Sequence, residues 1–293
     1  MEKRDILGVF LRNGVMLSPE EFDAIDEKNY MQVLKERMSG KSGKVTVITP
    51  KTGKLTCEQF IKICGSKYET LKDEILKKTD AVSINKGKKV FSEVTIIGRV
   101  KETASKGFVL EDITGETEVV SENSGVCAGD VIGLKGFFKE NKFYPDRTIW
   151  PDIPLGNVPN PMDARITLTT KVNEGMHGTI VCPDYEADGM NVISGFKKFG
   201  IIILPGQQEK FILMAYSPAN ELPEDAAVKI LKKRTLPEAG IVDNALNEIP
   251  DIFWIFNNKR NWTKNYRGVL VVSTDGTSYA EYEGGEINFG KIG

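Results

Sequence analysis

The chain has 293 residues, with 39 Lys and Arg against 41 Asp and Glu, so its formal net charge is -2. This length exceeds the roughly 150 residues of a typical domain and predicts two or three domains. The near-zero net charge excludes both a generally basic nucleic-acid coat and an acidic solvating tail, so any contact with DNA must be local. With 40% hydrophobic and 27% charged residues, the composition is that of a soluble globular protein that buries a core.

Cysteine and histidine are scarce in the chain. The four cysteines lack the spacing of a disulfide scaffold or of a metal site, which predicts reduced thiols in a cytoplasmic protein. The first residues do not form a secretory signal, and no apolar run approaches the ~18 residues of a membrane span, so we expect no membrane contact. The only histidine, His177, argues against histidine-rich metal chemistry.

Residues 1–80 are expected to form a small helical module followed by a tether. Ser18 before Pro19 is typical of a helix start, and the apolar spacing predicts a further helix over residues 30–38. Alternation over residues 44–50 predicts a short strand. Helical periodicity returns over residues 56–78, where the side chains expected to face inward are Phe60, Ile61, Cys64, Leu71 and Ile75.

The period of the hydrophobic pattern changes to two after residue 91. Glycines stand where strands of a small barrel have to bend. The pattern therefore predicts a closed Greek-key barrel of the OB type over residues 90–155. The five expected strands are residues 94–100, 107–112, 116–120, 130–138 and a last one built from 142–144 and 148–150.

A proline-dense boundary over residues 151–161 separates the barrel from a region in which strands and helices alternate. This alternation is typical of an α/β domain, which we expect over residues 160–293. The expected helices are residues 190–199 and 225–233, and the expected strands are 166–168, 179–181, 200–204, 211–216, 251–256 and 268–273.

Three collinear stretches carry a resemblance to a known family. The barrel contains IGRV at 97–100, VLEDITG at 109–115, VIGLKG at 131–136 and WPDIP at 150–154. The second stretch is ILKKRTLP at 230–237, with Thr235 at a family histidine, and the third joins IPDIF at 249–253 to NYRGVLVV at 265–272. Together they resemble the small subunit of archaeal family-D DNA polymerase and, more distantly, the B-subunits of eukaryotic replicative polymerases.

The resemblance implies an α+β multidomain protein: a helical N-terminal module, an OB-fold barrel and a shortened α/β domain like that of calcineurin-like phosphodiesterases. In that family the last domain holds two metal ions on Asp, His and Asn side chains. The resemblance places Thr170 and Val172 at the Asp and His of its first motif and Gln207 at an asparagine, and residues 253–260 contain no histidine. We therefore expect no catalytic residue, no metal and no cofactor. Asp184, Asp188, Glu209 and Asp243 remain conceivable oxygen ligands for Mg²⁺, although their spacing does not favour this.

The leading hypothesis is a non-catalytic accessory subunit that supports the large catalytic subunit of a replicative DNA polymerase. One alternative is a 3′–5′ exonuclease or phosphodiesterase with a rebuilt metal site. Another is a stand-alone protein whose barrel binds single-stranded DNA by stacking and charge.

The hypotheses about binding to DNA and to a partner protein depend on two sets of residues. The residues expected to make weak contact with DNA are Arg99, Lys101, Lys106, Phe108, Phe138 and Lys142. The most apolar stretch near the lost metal motif either fills the former metal cavity or forms a partner surface, and its residues are Phe253, Trp254 and Phe256.

Overall fold

A computed structural model of the chain describes its barrel and its C-terminal region. The described residues are 45–49, 56–121, 125–158, 162, 164–173, 176–185, 192–205, 210–236, 246 and 248–293, together with Ile6, Ile25 and Tyr30. The helices expected within residues 1–40 lie almost wholly outside them. Within these ranges, no helix is long and apolar enough to cross a membrane.

The first long element is helix α1, Cys57–Leu76. Thr56 and Gln59 form a capping box, because each side chain accepts a hydrogen bond from the backbone N–H of the other (3.2 and 3.1 Å). Leu71 and Ile75 are buried against the barrel, as expected. Phe60 and Ile61 were expected to face inward, and this was wrong: both are exposed, because the helix buries side chains only in its C-terminal half.

Five strands close into a barrel in the order β2-β3-β4-β6-β5, with β5 pairing back onto β2. All barrel pairs are antiparallel except β4 with β6. The short helix α2, Ile84–Gly87, places Ile84 in the barrel core. The strand bounds are β2 Val94–Ala104, β3 Gly107–Asp112, β4 Gly115–Val120, β5 Val131–Lys139 and β6 Lys142–Ile149.

A glycine allows two barrel strands to approach closely. The register of β5 and β6 shifts between Lys135 and Gly136, and a Cβ at Gly136 would lie 2.1 Å from the carbonyl oxygen of Tyr144. No larger residue fits there without moving β6. Gly136 therefore permits an irregular pairing of β5 with β6, which is a usual role of glycine within a strand.

Two further sheets are formed by the region after the barrel together with β1, a strand that precedes the barrel in sequence and pairs with β10. A six-stranded sheet has the order β1-β10-β11-β12-β14-β13, and a five-stranded sheet has the order β16-β15-β7-β8-β9. Their facing side chains form one core that includes Leu168, Ile202, Leu213 and Trp254. The bounds are β1 Thr46–Ile48, β7 Ile166–Leu168, β8 Thr179–Val181, β9 Val192–Ile193, β10 Phe199–Pro205, β11 Lys210–Tyr216, β12 Ile252–Ile255, β13 Trp262–Tyr266, β14 Val269–Ser273, β15 Ser278–Glu283 and β16 Glu286–Lys291.

Helix α3, Glu224–Lys233, covers the other face of the six-stranded sheet. It buries Ala227, Ile230 and Leu231 on one side, with acidic residues in its first turn and lysines in its last, which suits the helix dipole. The prediction of a helix over residues 190–199 is wrong. Val192 and Ile193 pair with β8 as strand β9, and Phe199 begins β10.

Ion pairs and hydrogen bonds join α3 to the rest of the molecule. Lys233 Nζ lies 2.7 Å from Asp130 Oδ2 at the start of β5, and Arg234 Nη1 lies 3.2 Å from Glu74 Oε2 of α1. The backbone N–H of Asp152, in the segment after the barrel, donates to the carbonyl of Lys232 (2.9 Å). The barrel, α1 and the two-sheet region are therefore in direct contact.

We predict that Glu74→Gln lowers the free energy of unfolding by about 2 kcal/mol at pH 7, because Arg234 is buried and would lose its charged partner. Urea unfolding would measure this. Glu69→Gln is the matched control, since Glu69 pairs with Lys72 on an exposed part of the same helix and should cost less than about 0.5 kcal/mol. Equal costs for the two variants would contradict the role assigned to the Glu74 pair.

The same pair should make stability depend on pH. Partial burial opposes ionisation of Glu74, but the nearby Lys77 and Arg234 outweigh it and hold the pKa of the carboxyl below its usual 4.5. A depressed folded-state pKa stabilises the fold above the unfolded value, and this contribution is lost as the pH falls through the folded value. The difference between the parent and Glu74→Gln should therefore shrink below about pH 4.

Candidate functional site

Two of the regions in which the resemblance expects metal ligands lie at strand ends of the two facing sheets. Thr170 follows β7, and Asn257 and Asn258, within the stretch 253–260, follow β12. The loop of residues 274–277, to which the resemblance assigns no ligand, follows the neighbouring strand β14. β12 and β14 are parallel neighbours, so their carboxyl ends meet at one edge of the sheet. Such an edge is where ligands gather in sheets of parallel strands.

Neutral side chains hold the end of the six-stranded sheet together. Asn258 is buried, and its Nδ2 donates to Ser273 Oγ and to the Leu222 carbonyl, both at 2.9 Å. Its Oδ1 accepts from the backbone N–H of Leu222 at 2.9 Å. The indole N–H of Trp254 donates to Thr274 Oγ1 at 3.0 Å. These groups satisfy one another without a charge or an ion.

The strand end of the five-stranded sheet is tied to the same loop. Thr170 Oγ1 donates to the carbonyl of Gly276 (3.2 Å), although the two residues are far apart in sequence. Asp275 accepts from the N–H and the hydroxyl of Thr277, both at 3.0 Å. Partial burial opposes its ionisation, yet hydrogen bonds from Ser278 and Thr277 and the charge of Lys291 hold the pKa of Asp275 below its usual value.

Potential metal ligands are dispersed in the part of the chain that the structure describes: no three His, Cys, Asp or Glu side chains there come together as a cation site. His177 is exposed in a loop. Thr170 and Val172 lie at the expected strand end and are only partly exposed. Of the other residues considered as oxygen ligands, Asp184 is described, whereas Asp188, Glu209 and Asp243 lie outside the described residues, as does Gln207.

The apolar stretch expected either to fill the former metal cavity or to form a partner surface is buried. Phe253 and Trp254 are 0% exposed and Phe256 is 1% exposed. The ring centroids of Trp254 and Phe256 are 5.0 Å apart in the core between the sheets, while Phe253 faces α3 beside Tyr216. The expectation of a partner surface is therefore corrected for these three side chains, because burial in the chain's own core leaves them no surface to offer.

The cations expected to contact DNA are mostly neutralised by acids on other barrel strands. Arg99 pairs with Glu111, which lies directly opposite it on β3. Lys101 Nζ lies 2.7 Å from Glu116 Oε2, and Lys142 Nζ lies 2.6 Å from Glu118 Oε2. The hydrogen bond between Lys101 and Glu116 raises the pKa of the lysine and lowers that of the acid. Both groups are therefore charged at neutral pH, and their fields largely cancel.

The expected aromatic residues differ in exposure. Phe108 lies in the barrel core, and Phe138 is partly buried with its ring edge against Phe143 (centroids 4.9 Å apart). The exposed ring is that of Phe137, which stacks on Tyr144 at 5.7 Å. The sequence offers both rings as barrel aromatics, but adjacent phenylalanines on a strand do not reveal which one faces the core.

The structure brings two of the expected cations into one groove. Lys106 and Lys142 line a groove of about 780 Å³ between the turn that joins β2 to β3 and the turn that joins β5 to β6. Three acids line the same groove, namely Glu102, Glu118 and Glu140. The groove has the size to accept a nucleotide chain, but its charge does not favour phosphate. Contact of these residues with DNA stays a prediction.

We predict that Asn258→Ala lowers the free energy of unfolding by about 2–3 kcal/mol, because buried groups of Leu222 and Ser273 would lose their partners. Chemical denaturation would measure the change. Asn220→Ala is the control at an exposed position and should stay within about 0.5 kcal/mol of the parent. A cost at Asn258 no larger than that of the control would show that the network adds nothing to stability.

Comparison with known proteins supports the resemblance drawn from the residues. No model of a known protein family matches the chain. The DNA polymerase II small subunit of Archaeoglobus fulgidus is 27% identical over 188 residues, which covers 59% of this chain and 38% of that protein. The protein of the same name from Thermoplasma acidophilum is 24% identical over 191 residues, covering 53% of this chain and 39% of the relative.

The match therefore spans less than two fifths of the length of each of these relatives. It runs over more than half of the present chain, as the collinear motifs predicted. The predicted resemblance is confirmed: the chain is similar to the small subunit of archaeal family-D DNA polymerase.

Proposed function

We propose that the chain is a non-catalytic accessory subunit of a replicative DNA polymerase of the family-D type, in which it supports a large catalytic subunit. The proposal rests on a sequence similarity combined with the chemistry of the strand ends. The chain is similar to DNA polymerase small subunits, and the strand ends at which the resemblance expects metal ligands carry hydroxyl and amide groups that bond to one another.

We assign the barrel to the OB type and the two-sheet region to a reduced calcineurin-like phosphodiesterase domain. In support of the first assignment, the third and fifth barrel strands, β4 and β6, are parallel neighbours within an otherwise antiparallel Greek-key barrel. In support of the second, two facing sheets place their strand ends together, with α3 on the outer face. OB barrels and two-sheet domains that lack catalytic residues serve as binding surfaces for other proteins.

The chemistry of the strand ends favours a platform over an enzyme. A two-metal phosphodiesterase holds its ions about 3.5–4 Å apart on charged ligands, so that one activates water and the other stabilises the leaving oxygen. Asn258, Thr170 and Thr274 provide neutral groups whose hydrogen-bonding atoms are engaged within the protein.

The first test is an affinity purification of the chain from its native cell extract. We expect the large catalytic subunit of a DNA polymerase to be recovered and identified by mass spectrometry, and the eluate to extend a primed template. Recovery of a monomeric chain without any polymerase would contradict the proposal and favour a stand-alone barrel protein.

A nuclease assay separates the proposal from the exonuclease alternative. We expect the purified chain, incubated with Mn²⁺, to leave a labelled single-stranded oligonucleotide intact and to bind no stoichiometric Mn²⁺ in calorimetry. His177→Ala is the diagnostic variant, because His177 is exposed and its loss should not disturb the fold. Manganese-dependent digestion by the parent that is absent from this variant would establish a rebuilt metal site.

We further propose that the barrel makes only weak contact with DNA, limited by the acids that pair with its cations. Replacing both Glu116 and Glu118 by Gln frees Lys101 and Lys142. The double variant should bind oligo-dT about tenfold more tightly at low salt, with a steeper dependence on salt concentration. Fluorescence anisotropy would measure both.

The control for this experiment makes the same change of net charge away from the barrel. Glu248→Gln combined with Glu286→Gln replaces two exposed acids of the C-terminal region. An equal gain in affinity in both double variants would mean that total charge, rather than the barrel surface, governs binding.

A further inference from the structure

A cleft with an excess of cations lies where α1, the end of the barrel and the C-terminal region meet. Its volume is about 570 Å³. The walls come from four separate parts of the chain, so the cleft exists only while these parts are in contact. The charged side chains that line it include Glu74, Lys78, Arg147, Asp152, Lys232 and Arg267.

Both acids in this junction cleft are already neutralised by groups of the protein. Arg267 Nη1 lies 3.0 Å from Asp152 Oδ2, and the hydroxyl of Tyr266 donates to Asp152 Oδ1 at 2.9 Å. Burial, together with this hydrogen bond, raises the pKa of Tyr266 to about 12, so the hydroxyl is a donor at neutral pH. Glu74 is paired with Lys77, which also lines the cleft (2.8 Å), and with the buried Arg234 (3.2 Å).

Several cations of the junction cleft lack a carboxylate partner among the described residues. Lys78 Nζ donates to the main-chain carbonyls of residues 150–152, including that of Asp152 at 3.2 Å. Lys232 Nζ lies 6.0 Å from the ring centroid of Trp150 and forms no ion pair within the described ranges. Arg147 is exposed on β6 and is likewise without an ion-pair partner there. Arg147 and Lys232 are therefore available to an anionic ligand.

The floor of the junction cleft is apolar. Trp150 contributes its ring, and Ile149, Ile153 and Pro154 lie beside it. Leu155 also lines the cleft and is 85% exposed, which leaves a large aliphatic side chain in water. Exposed apolar residues next to a concave surface are typical of a site for another molecule.

We propose that the junction cleft docks an acidic segment of a partner protein, with one large apolar side chain of that segment on the floor and its carboxylates at Arg147 and Lys232. The proposal rests on the proposed function in one respect: it places the segment in the large catalytic subunit. An apolar anchor surrounded by charge-assisted contacts is the usual composition of a small docking site.

The observations favour a peptide over a nucleic acid. A phosphodiester backbone is bound by cations that extend along a groove, whereas these cations surround a compact apolar floor. The chain as a whole carries a net charge of -2, so its overall charge does not add to the attraction for a phosphate backbone. Carboxylates next to a leucine or phenylalanine side chain match both features of the cleft.

The test is a fluorescence anisotropy titration of the full chain with a labelled acidic peptide, in which a Leu-Phe pair is flanked on each side by Glu and Asp. We expect saturable binding at low salt. A peptide with Gln and Asn in place of the acids, and one with Ala in place of Leu-Phe, should each bind at least about tenfold more weakly. Saturable binding of oligo-dT that the acidic peptide fails to displace would overturn the proposal, as would the absence of peptide binding.

Two pairs of variants locate the binding site. Lys232→Glu should weaken peptide binding about tenfold, whereas Lys229→Glu, an exposed position on the same helix that does not line the cleft, should leave it unchanged. Leu155→Ser should weaken binding, whereas Val158→Ser, at a neighbouring position that is 80% exposed, should not. Thermal unfolding confirms that each variant is folded, and equal effects within either pair would overturn the proposal.

The affinity purification distinguishes this proposal from the proposed function. The parent should recover the large polymerase subunit, and Lys232→Glu should recover much less of it than Lys229→Glu does. Undiminished recovery with Lys232→Glu would overturn the docking proposal while the accessory role stands. If the parent recovers no polymerase, the accessory role fails, and the peptide titration alone decides whether the cleft binds acidic segments.

Discussion

The organisation of the molecule depends on two adjacent residues at the C-terminal end of helix α3. Lys233 bonds to Asp130 of the barrel, and Arg234 bonds to Glu74 of α1. Arg234 adopts a left-handed backbone conformation (φ 50°), which ends the helix and turns its side chain away from the direction of Lys233. Both pairs are largely buried, so the loss of one partner would weaken the compensation of a buried charge. The junction cleft lies beside these bonds.

Hydrogen bonds between neutral side chains and backbone groups join the strand ends of the two sheets to neighbouring loops. Here Asn258 joins Leu222 to Ser273, and Thr170 joins the five-stranded sheet to the loop of Gly276. These hydrogen bonds join groups that do not titrate, so they persist over a wide range of pH. Asp275, which accepts from Thr277 in the same loop, loses its charge only in acid, because its pKa lies below the usual value.

Much of the barrel was predictable from the sequence, because alternation of period two identifies each strand when one face is buried. The prediction of residues 107–112 as a strand agrees with β3, and Leu71 and Ile75 face the core as expected. The candidate site was less predictable. The pattern around Val192 did not indicate that the segment is extended, because its strand forms only by pairing with β8. The run around Trp254 was predicted as a strand, but not that the chain's own two-sheet core covers it, because those contacts are distant in sequence. β13, β15 and β16 escaped prediction because their half-exposed patterns resemble those of loops.

Both ion pairs lie at one end of α3. They therefore constrain the number of residues in the helix more strongly than they constrain the residue types. Each residue of an α-helix advances the chain by about 100° around the axis. An insertion or deletion of a single residue within α3 would therefore rotate Lys233 and Arg234 together, away from both Asp130 and Glu74. Substitutions on the outer face of the helix leave these bonds intact. In related sequences, α3 should thus tolerate wide changes of residue type while keeping the spacing between its buried alanine, Ala227, and its terminal cations.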